Sequence, residues 1–329
     1  MGSRTTSPTC SSRTCSDSSR TSRANPSPST TQPRELPSPT DSSYPLTPPG
    51  WRETERRTIG PFSTHVTWER PDGGRSSWSS RVHRKHASKL SRPERQGVWW
   101  APWRASWWIA ILFAIGSTCF FVGPFPGFEQ LVGSGADGMV FFVGSIFFTS
   151  AAALQWLETI NADPGPALRR GSLRVLTFEP RRIDWWSSGV QLVGTVYFNF
   201  TTFRALQDGL DAGAYDRLVW KPDALGSVCF LVSGYLAYAE VCGHAFWTRN
   251  RTLEWKIAAV NLVGCIAFGI SAVASFWVPS SGGVLALAAS NWFTSLGGLC
   301  FLVGAVLLLP ESAPTKDVES GGAALYAHP

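Results

Sequence analysis

The chain has 329 residues, of which 44% are hydrophobic, only 16% are charged and 16 are tryptophans. Soluble proteins carry about 25% charged residues, so this composition favours a membrane protein. Residues 1–104 hold 17 Lys and Arg against 8 Asp and Glu, whereas the remaining 225 residues hold 12 against 15. This distribution excludes a uniformly basic protein. The positive charge lies in a segment with almost no apolar periodicity, so we expect no nucleic-acid binding.

Residues 1–60 are rich in Ser, Thr, Pro and Arg. Such a segment buries too little apolar surface to offset the entropy of ordering its backbone, and we predict a disordered basic tail.

Residues 61–98 form a predicted juxtamembrane segment. Val66 and Trp68 alternate with polar residues before Asp72-Gly73, and a second stretch contains Trp78. An Asp-Gly pair between alternating stretches indicates a β-hairpin. The basic stretch that starts at Arg81 leads into a tryptophan cluster, so the predicted partner is the lipid bilayer with its anionic headgroups. The alternative, a nucleic-acid patch, has no supporting fold.

Residues 99–311 contain six windows of about 20 mostly apolar residues, the length that spans a bilayer. Their central turns are uncharged, which excludes the amphipathic helices of a soluble bundle. We predict an all-α polytopic membrane protein with six transmembrane helices, followed by a cytoplasmic tail at 312–329. The approximate windows are Ala105 to Val122, Gly138 to Leu157, Trp185 to Phe203, Ala224 to Cys242, Trp255 to Val278, and Val284 to Leu309.

Basic residues in the links predict the orientation of the spans. The links after the first and fifth spans lack Lys and Arg, and the link after the third is mixed. The links after the second and fourth are basic: they hold Arg169, Arg170, Arg174, Arg181 and Arg182, then Arg249, Arg251 and Lys256. The pattern predicts that both termini are cytoplasmic, with the plasma membrane as the expected location. Most of the tryptophans then mark the cytoplasmic ends of the spans.

The spans repeat with a period of two, which predicts three tandem two-helix hairpins that all face the same way. The odd spans share a Gly-x-x-x-Phe core at Gly116 to Phe120, Gly194 to Phe198, and Gly264 to Phe268. The even spans align on Phe141 to Gly144, Phe230 to Ser233, and Phe301 to Gly304.

Three stretches resemble the YrhK-like membrane proteins: FFVGSIFFTSAAALQ in the second span, QLVGTVYFNFTT in the third and LGSVCFLV in the fourth. The resemblance covers roughly residues 100–311 and leaves the tail unexplained. It implies a multi-pass membrane protein of uncharacterised activity, and it supplies no catalytic residues.

Polar side chains inside lipid are the best functional pointers in this sequence. Six of them fall toward the predicted cytoplasmic side: Gln155, Glu158, Gln191, Glu240, His244 and Asn261. In one interpretation they form a polar vestibule with Glu158 and Glu240 as cation or proton sites. In the other, Gln191 and Asn261 bond between helices and fix the packing, while the two glutamates lie at the interface in water or pair with loop arginines. Interhelical polar bonds average only about 0.6 kcal/mol, so both interpretations stay open.

The sequence contains no Ser-His-Asp order, HExxH or phosphate loop, and we expect neither an enzyme nor a bound cofactor or metal. The first functional hypothesis is a structural or regulatory membrane protein that acts through its cytoplasmic arm. The alternative is a transporter or channel for a small solute or ion that uses the polar layer.

Overall fold

The computed structural model describes residues 45–81, 99–162, 173–207, 209–243 and 251–311. Most of the predicted tail, the basic stretch after Arg81, the candidate residue His244 and the C-terminal segment 312–329 lie outside the described residues.

A small antiparallel sheet precedes the helices. Its strands, in the order β1-β2-β3, are β1 Arg52–Ile59, β2 Phe62–Glu69 and β3 Arg75–Ser79. Strands β2 and β3 form the hairpin that the alternating residues predict, and Asp72 accepts a bond from the Gly74 N–H at 2.9 Å in its turn. One face of the sheet buries Val66, Trp68 and Trp78 in a small core of its own.

Strand β1 corrects the predicted extent of the disordered tail, because residues 52–59 are ordered as an edge strand. The sequence of this strand is mostly charged and lacks the alternation of apolar and polar residues that predicts a strand, so its composition alone indicates disorder. The strand is instead held by backbone pairing to β2 and by an ion pair of 2.7 Å between Arg56 and Glu53. An edge strand with charged side chains is a common way to prevent further strand pairing.

Six long helices follow among the described residues, and the second, third and fourth extend beyond their predicted spans by a few residues. The helices are α1 Ala105–Val122, α2 Ser134–Ile160, α3 Ile183–Ala205, α4 Lys221–Cys242, α5 Leu253–Ala274 and α6 Leu287–Glu311. A short helix and a π-helical turn run directly into α4, so that Ala212–Cys242 is one apolar helical rod.

The fifth predicted span extends too far at its C-terminal end. Helix α5 ends at Ala274, where the N–H of Ser275 bonds to the carbonyl of Ser271 at 2.9 Å. The chain then forms a two-stranded hairpin, Trp277–Val278 with Gly283–Val284. Aromatic and β-branched residues at 276–278 continue the apolar run, so hydropathy does not mark the change from helix to strand.

Among the described residues, five helical segments are long and apolar enough to cross a membrane: α1, α2, the segment Ala212–Cys242 that contains α4, α5 and α6. Helix α3 is comparable in length at 23 residues. Polar residues such as Asp184, Gln191 and Asn199 make it less apolar than the other five.

The six helices form a closed ring. Each helix packs against the next along the chain, and α6 closes the ring against α1. Glycines permit these close approaches: a Cβ on Gly116 would lie 2.9 Å from the carbonyl oxygen of Gly144, and one on Gly226 would lie 3.2 Å from that of Gly194.

Packing also corrects the predicted register of the even helices. Gly297 lies against Gly264 as Gly226 lies against Gly194 and as Gly144 lies against Gly116. The sequence alignment of Gly144 with Ser233 and Gly304 is therefore wrong by seven residues. The error arises because each even helix contains Phe-x-Val-small once, but this stretch ends at the packed glycine in α2 and seven residues after it in α4 and α6. Only the contacts between helices reveal this offset.

In the packed register all six helices carry the same motif, a glycine followed four residues later by phenylalanine. The pairs are Gly116 and Phe120, Gly144 and Phe148, Gly194 and Phe198, Gly226 and Phe230, Gly264 and Phe268, and Gly297 and Phe301. The six phenylalanines belong to one buried cluster.

Candidate functional site

A cavity of about 110 Å³ lies inside the ring at the end where the odd helices begin and the even helices end. Five of the six predicted polar residues line it: Gln155, Glu158, Gln191, Glu240 and Asn261. The sixth, His244, is outside the described residues. The structure thus brings together side chains that are up to 106 positions apart in sequence.

Helix geometry explains why these residues converge. Gln155 and Glu158 are three positions apart in the last turns of α2 and share a face. Gln191 and Asn261 are each the ninth residue of their helices, α3 and α5. Glu240 enters from the last turn of α4. Because neighbouring helices run in opposite directions, starts of odd helices and ends of even helices meet at one level.

Glu240 is tied to the segment that leaves the sheet. Its Oε1 accepts a short hydrogen bond from the hydroxyl of Ser80, and both side chains are buried. The neighbouring Arg81 is also buried and lines the cavity. Sequence reasoning missed this contact, since nothing in the local pattern of the basic stretch indicates that its first residues enter the helix ring.

Asp184 is a further acidic residue of the cavity wall that the sequence did not single out. It is fully buried and binds Arg182 through both oxygens, at 3.0 Å and 2.6 Å. Arg182 also pairs with Glu179 at 2.6 Å and donates to the carbonyl oxygen of Thr159 at 2.9 Å. The network joins the start of α3 to the end of α2. The predicted third span begins at Trp185, one residue too late to include it.

A signal for this network exists in the sequence as a local repeat. Pro102 to Trp108 and Pro180 to Trp186 share the pattern Pro-x-Arg-x-x-Trp-Trp. In both copies the second indole N–H donates to the proline carbonyl at 2.9 Å. The pattern marks the start of α1 and α3, where it places the buried Arg104 and Arg182 at corresponding positions.

Some of the hydroxyl and amide groups near the cavity bond between helices, and others face the cavity. Ser187 and Ser233 exchange hydrogen bonds with each other's carbonyl oxygens, at 3.1 Å and 2.8 Å, and so join α3 to α4. Gln191 lies at the limit of bonding distance, 3.5 Å, from Ser233. The buried Oδ1 of Asn261 has no hydrogen-bond partner among the described residues.

Phenylalanines close the inner end of the cavity. Phe230 and Phe301 line it, and their ring centroids are 5.7 Å apart. Phe148 completes a triad with them at 6.3 Å and 5.6 Å. The walls of the chamber are therefore mixed, with polar and apolar side chains, and its base is aromatic.

Over the parts of the chain that the structure describes, no group of three or more His, Cys, Asp or Glu side chains is arranged to hold a metal ion. Comparison with known protein families, curated proteins and solved structures finds no match to this chain. The resemblance to the YrhK-like proteins accordingly stays a prediction.

Proposed function

We propose that all six helices span the membrane as three tandem hairpins, with both termini in the cytoplasm and with the YrhK-like proteins as relatives. The exposed apolar side chains of α3 support a sixth span, because Val193 is 51% exposed and Val196 is 55% exposed. The other five helices expose a similar outer stripe. Helix α3 also lies in the ring between α2 and α4, and the ring would be broken if it left the bilayer.

The bundle is proposed to provide a route for a small cation, the proton included. The observation that carries this proposal is the convergence of Glu158, Asp184, Glu240 and three amide side chains on one cavity. Carboxylates are costly at membrane depth and are retained chiefly where they line ion or proton routes.

The size of the chamber restricts the substrate. Pockets for drug-sized organic molecules occupy about 300–1,000 Å³, whereas this cavity occupies about 110 Å³. That volume accommodates a few waters or a small hydrated ion. Arg182 already neutralises Asp184, so the preference for cations comes from Glu158 and Glu240, although Arg81 provides one positive group in the wall.

Flux into proteoliposomes tests the proposal. Vesicles that contain the full chain are loaded with a pH-sensitive or a K⁺-sensitive dye and exposed to a proton, Na⁺ or K⁺ gradient. We expect Glu240→Gln and Gln191→Leu to lower the flux severalfold. Glu129→Gln and Gln130→Leu make the same chemical changes at exposed positions in the link before α2 and should leave it unchanged. Equal flux in all five proteins would overturn the proposed site.

A structural or regulatory role is the second candidate, and the bond from Ser80 to Glu240 favours it. Through this contact the cytoplasmic sheet and the helix ring can sense each other's state. Absence of flux for every cation in a correctly folded preparation would leave this role as the better explanation. Cysteine labelling at Gly135 from outside and at Arg170 from inside tests the orientation separately.

A further inference from the structure

A second cavity, of about 50 Å³, lies in the ring beyond the phenylalanines, away from the first. Its polar wall consists of Thr201, Thr202, Asp223, Ser227, Ser271 and Thr294. These residues belong to the last turns of α3 and α5 and the first turns of α4 and α6. They occupy the end of the bundle opposite the residues that line the larger cavity.

Two triads of phenylalanine separate the cavities. The outer triad is Phe120, Phe198 and Phe268 from the odd helices, and all three line the smaller cavity. Phe268 contacts Phe120 at 5.9 Å and Phe198 at 6.0 Å. The inner triad, described above, comes from the even helices.

The two triads are in direct contact. Phe198 meets Phe230 of the inner triad at 5.0 Å, and Phe268 lies stacked on Phe301 at 5.6 Å. Along the bundle axis, the two cavities with their polar side chains are therefore separated by the six phenylalanine rings.

The smaller cavity has one charged group. Most of its hydroxyls already bond to protein: Thr202 donates to the carbonyl of Phe198 at 2.8 Å, and Ser271 and Thr294 lie 2.6 Å apart. By contrast, within the described part of the chain no side chain is seen to donate to the half-buried carboxylate of Asp223. Asp223 is thus the group of this cavity that is left to face a ligand.

We propose that the two phenylalanine triads form a hydrophobic gate between two polar vestibules of one axial route, and that Asp223 binds the cation in the outer vestibule. The inference rests on the proposed cation route and adds its barrier and its second binding position. Apolar constrictions block ions by excluding water, without any need to fill the whole cross-section. The repeated Gly-x-x-x-Phe motif places one ring from every helix at this constriction.

Polar substitution in the triads tests the gate. We expect Phe198→Ser to raise cation flux about tenfold or more, because a tenfold change needs only about 1.4 kcal/mol off the barrier. Phe200→Ser is the matched control, since Phe200 is on the same helix but 40% exposed on the outer surface. Phe268→Ser provides a second gate variant, and size-exclusion chromatography identifies the variants that keep the native fold. Wild-type flux in a folded gate variant would overturn the gate.

Asp223→Asn tests the outer site with a nearly isosteric change that preserves the fold. We expect a severalfold higher cation concentration for half-maximal flux. Asp216→Asn, which alters a residue paired with Lys221 outside the cavity, should have no such effect. An unchanged half-maximal concentration in Asp223→Asn would overturn the outer site. If neither wild type nor any gate variant conducts, the proposed function itself fails; if wild type conducts and the gate variants do not differ from it, only the gate fails.

Discussion

Breaking the buried ion pair between Arg182 and Asp184 should strongly destabilise the protein. Both side chains are almost inaccessible, at 4% and 0% exposure, and the guanidinium also bonds to Glu179 and to the carbonyl of Thr159. Removing one partner of such a buried pair costs about 3–5 kcal/mol, because Arg182 then keeps only one of its two carboxylate partners. We therefore expect Asp184→Leu to destabilise the ring by about that amount.

Thermal or denaturant unfolding in detergent, followed by tryptophan fluorescence, measures the effect. For a chain of this size the midpoint should fall by roughly 6–20 °C, from about 2–4 °C per kcal/mol. Lys221→Met removes a pair of similar length, 2.7 Å, whose lysine is 55% exposed. Exposed pairs contribute about 0–1 kcal/mol, so this control should change the midpoint little.

The double variant Arg182→Met with Asp184→Leu distinguishes the cost of an unpaired buried charge from the loss of the two side chains themselves. Replacing both charges with apolar groups is often neutral, so we expect it to recover much of the stability that Asp184→Leu loses. Glu179 then loses its partner, but at 14% exposure it is closer to water than Asp184 is. An Asp184→Leu midpoint equal to that of the Lys221→Met control would refute the reasoning that this network holds α3 against α2.

Gly194→Ala should destabilise the contact between α3 and α4 by about 1–3 kcal/mol, because its Cβ would lie 2.8 Å from a ring carbon of Phe230. Gly135→Ala, with nothing within 4 Å, is the control, and equal unfolding midpoints would contradict the prediction. Burial lowers the pKa of His65 below its usual 6.5. Below pH 6.5 the unfolded chain then binds more protons than the folded sheet, so the sheet should lose stability on acidification to about pH 5. Hydrogen exchange of β2 measures this loss, which His65→Gln should abolish.

The helices and the polar layer could be predicted from sequence because their signals are local. Apolar runs of 18 or more residues mark helices of membrane length, and Ala105–Val122 matches its predicted window at both ends. Gln155, Gln191 and Asn261 were found because amides within such runs are rare. Because successive helices run in opposite directions, these three side chains could then be placed at the same depth of the bundle.

Other features depend on contacts between distant residues and have no local signal. The bond from Ser80 to Glu240 joins residues 160 positions apart, and no periodicity in either segment encodes it. The register of the even helices is another example. Gly144 corresponds to Gly226 because each packs against the glycine of the preceding odd helix, and only the structure shows this. Strand β1 is likewise specified by its pairing to β2 and not by its own composition.

Helix α3 shows why mean hydropathy is a poor guide within a closed ring. Such an average treats a helix as if lipid surrounded it, whereas a ring member presents only one stripe to lipid. The polar residues of α3 are directed elsewhere: Asn199 donates to Thr149 of α2 at 2.7 Å, and Gln191 lines the cavity. Its exposed residues, Val193 and Val196, are as apolar as those of its neighbours. If the ring crosses the bilayer, its least apolar helix is therefore the one that contributes most polar side chains to the interior, and its low mean hydropathy is no argument against a span.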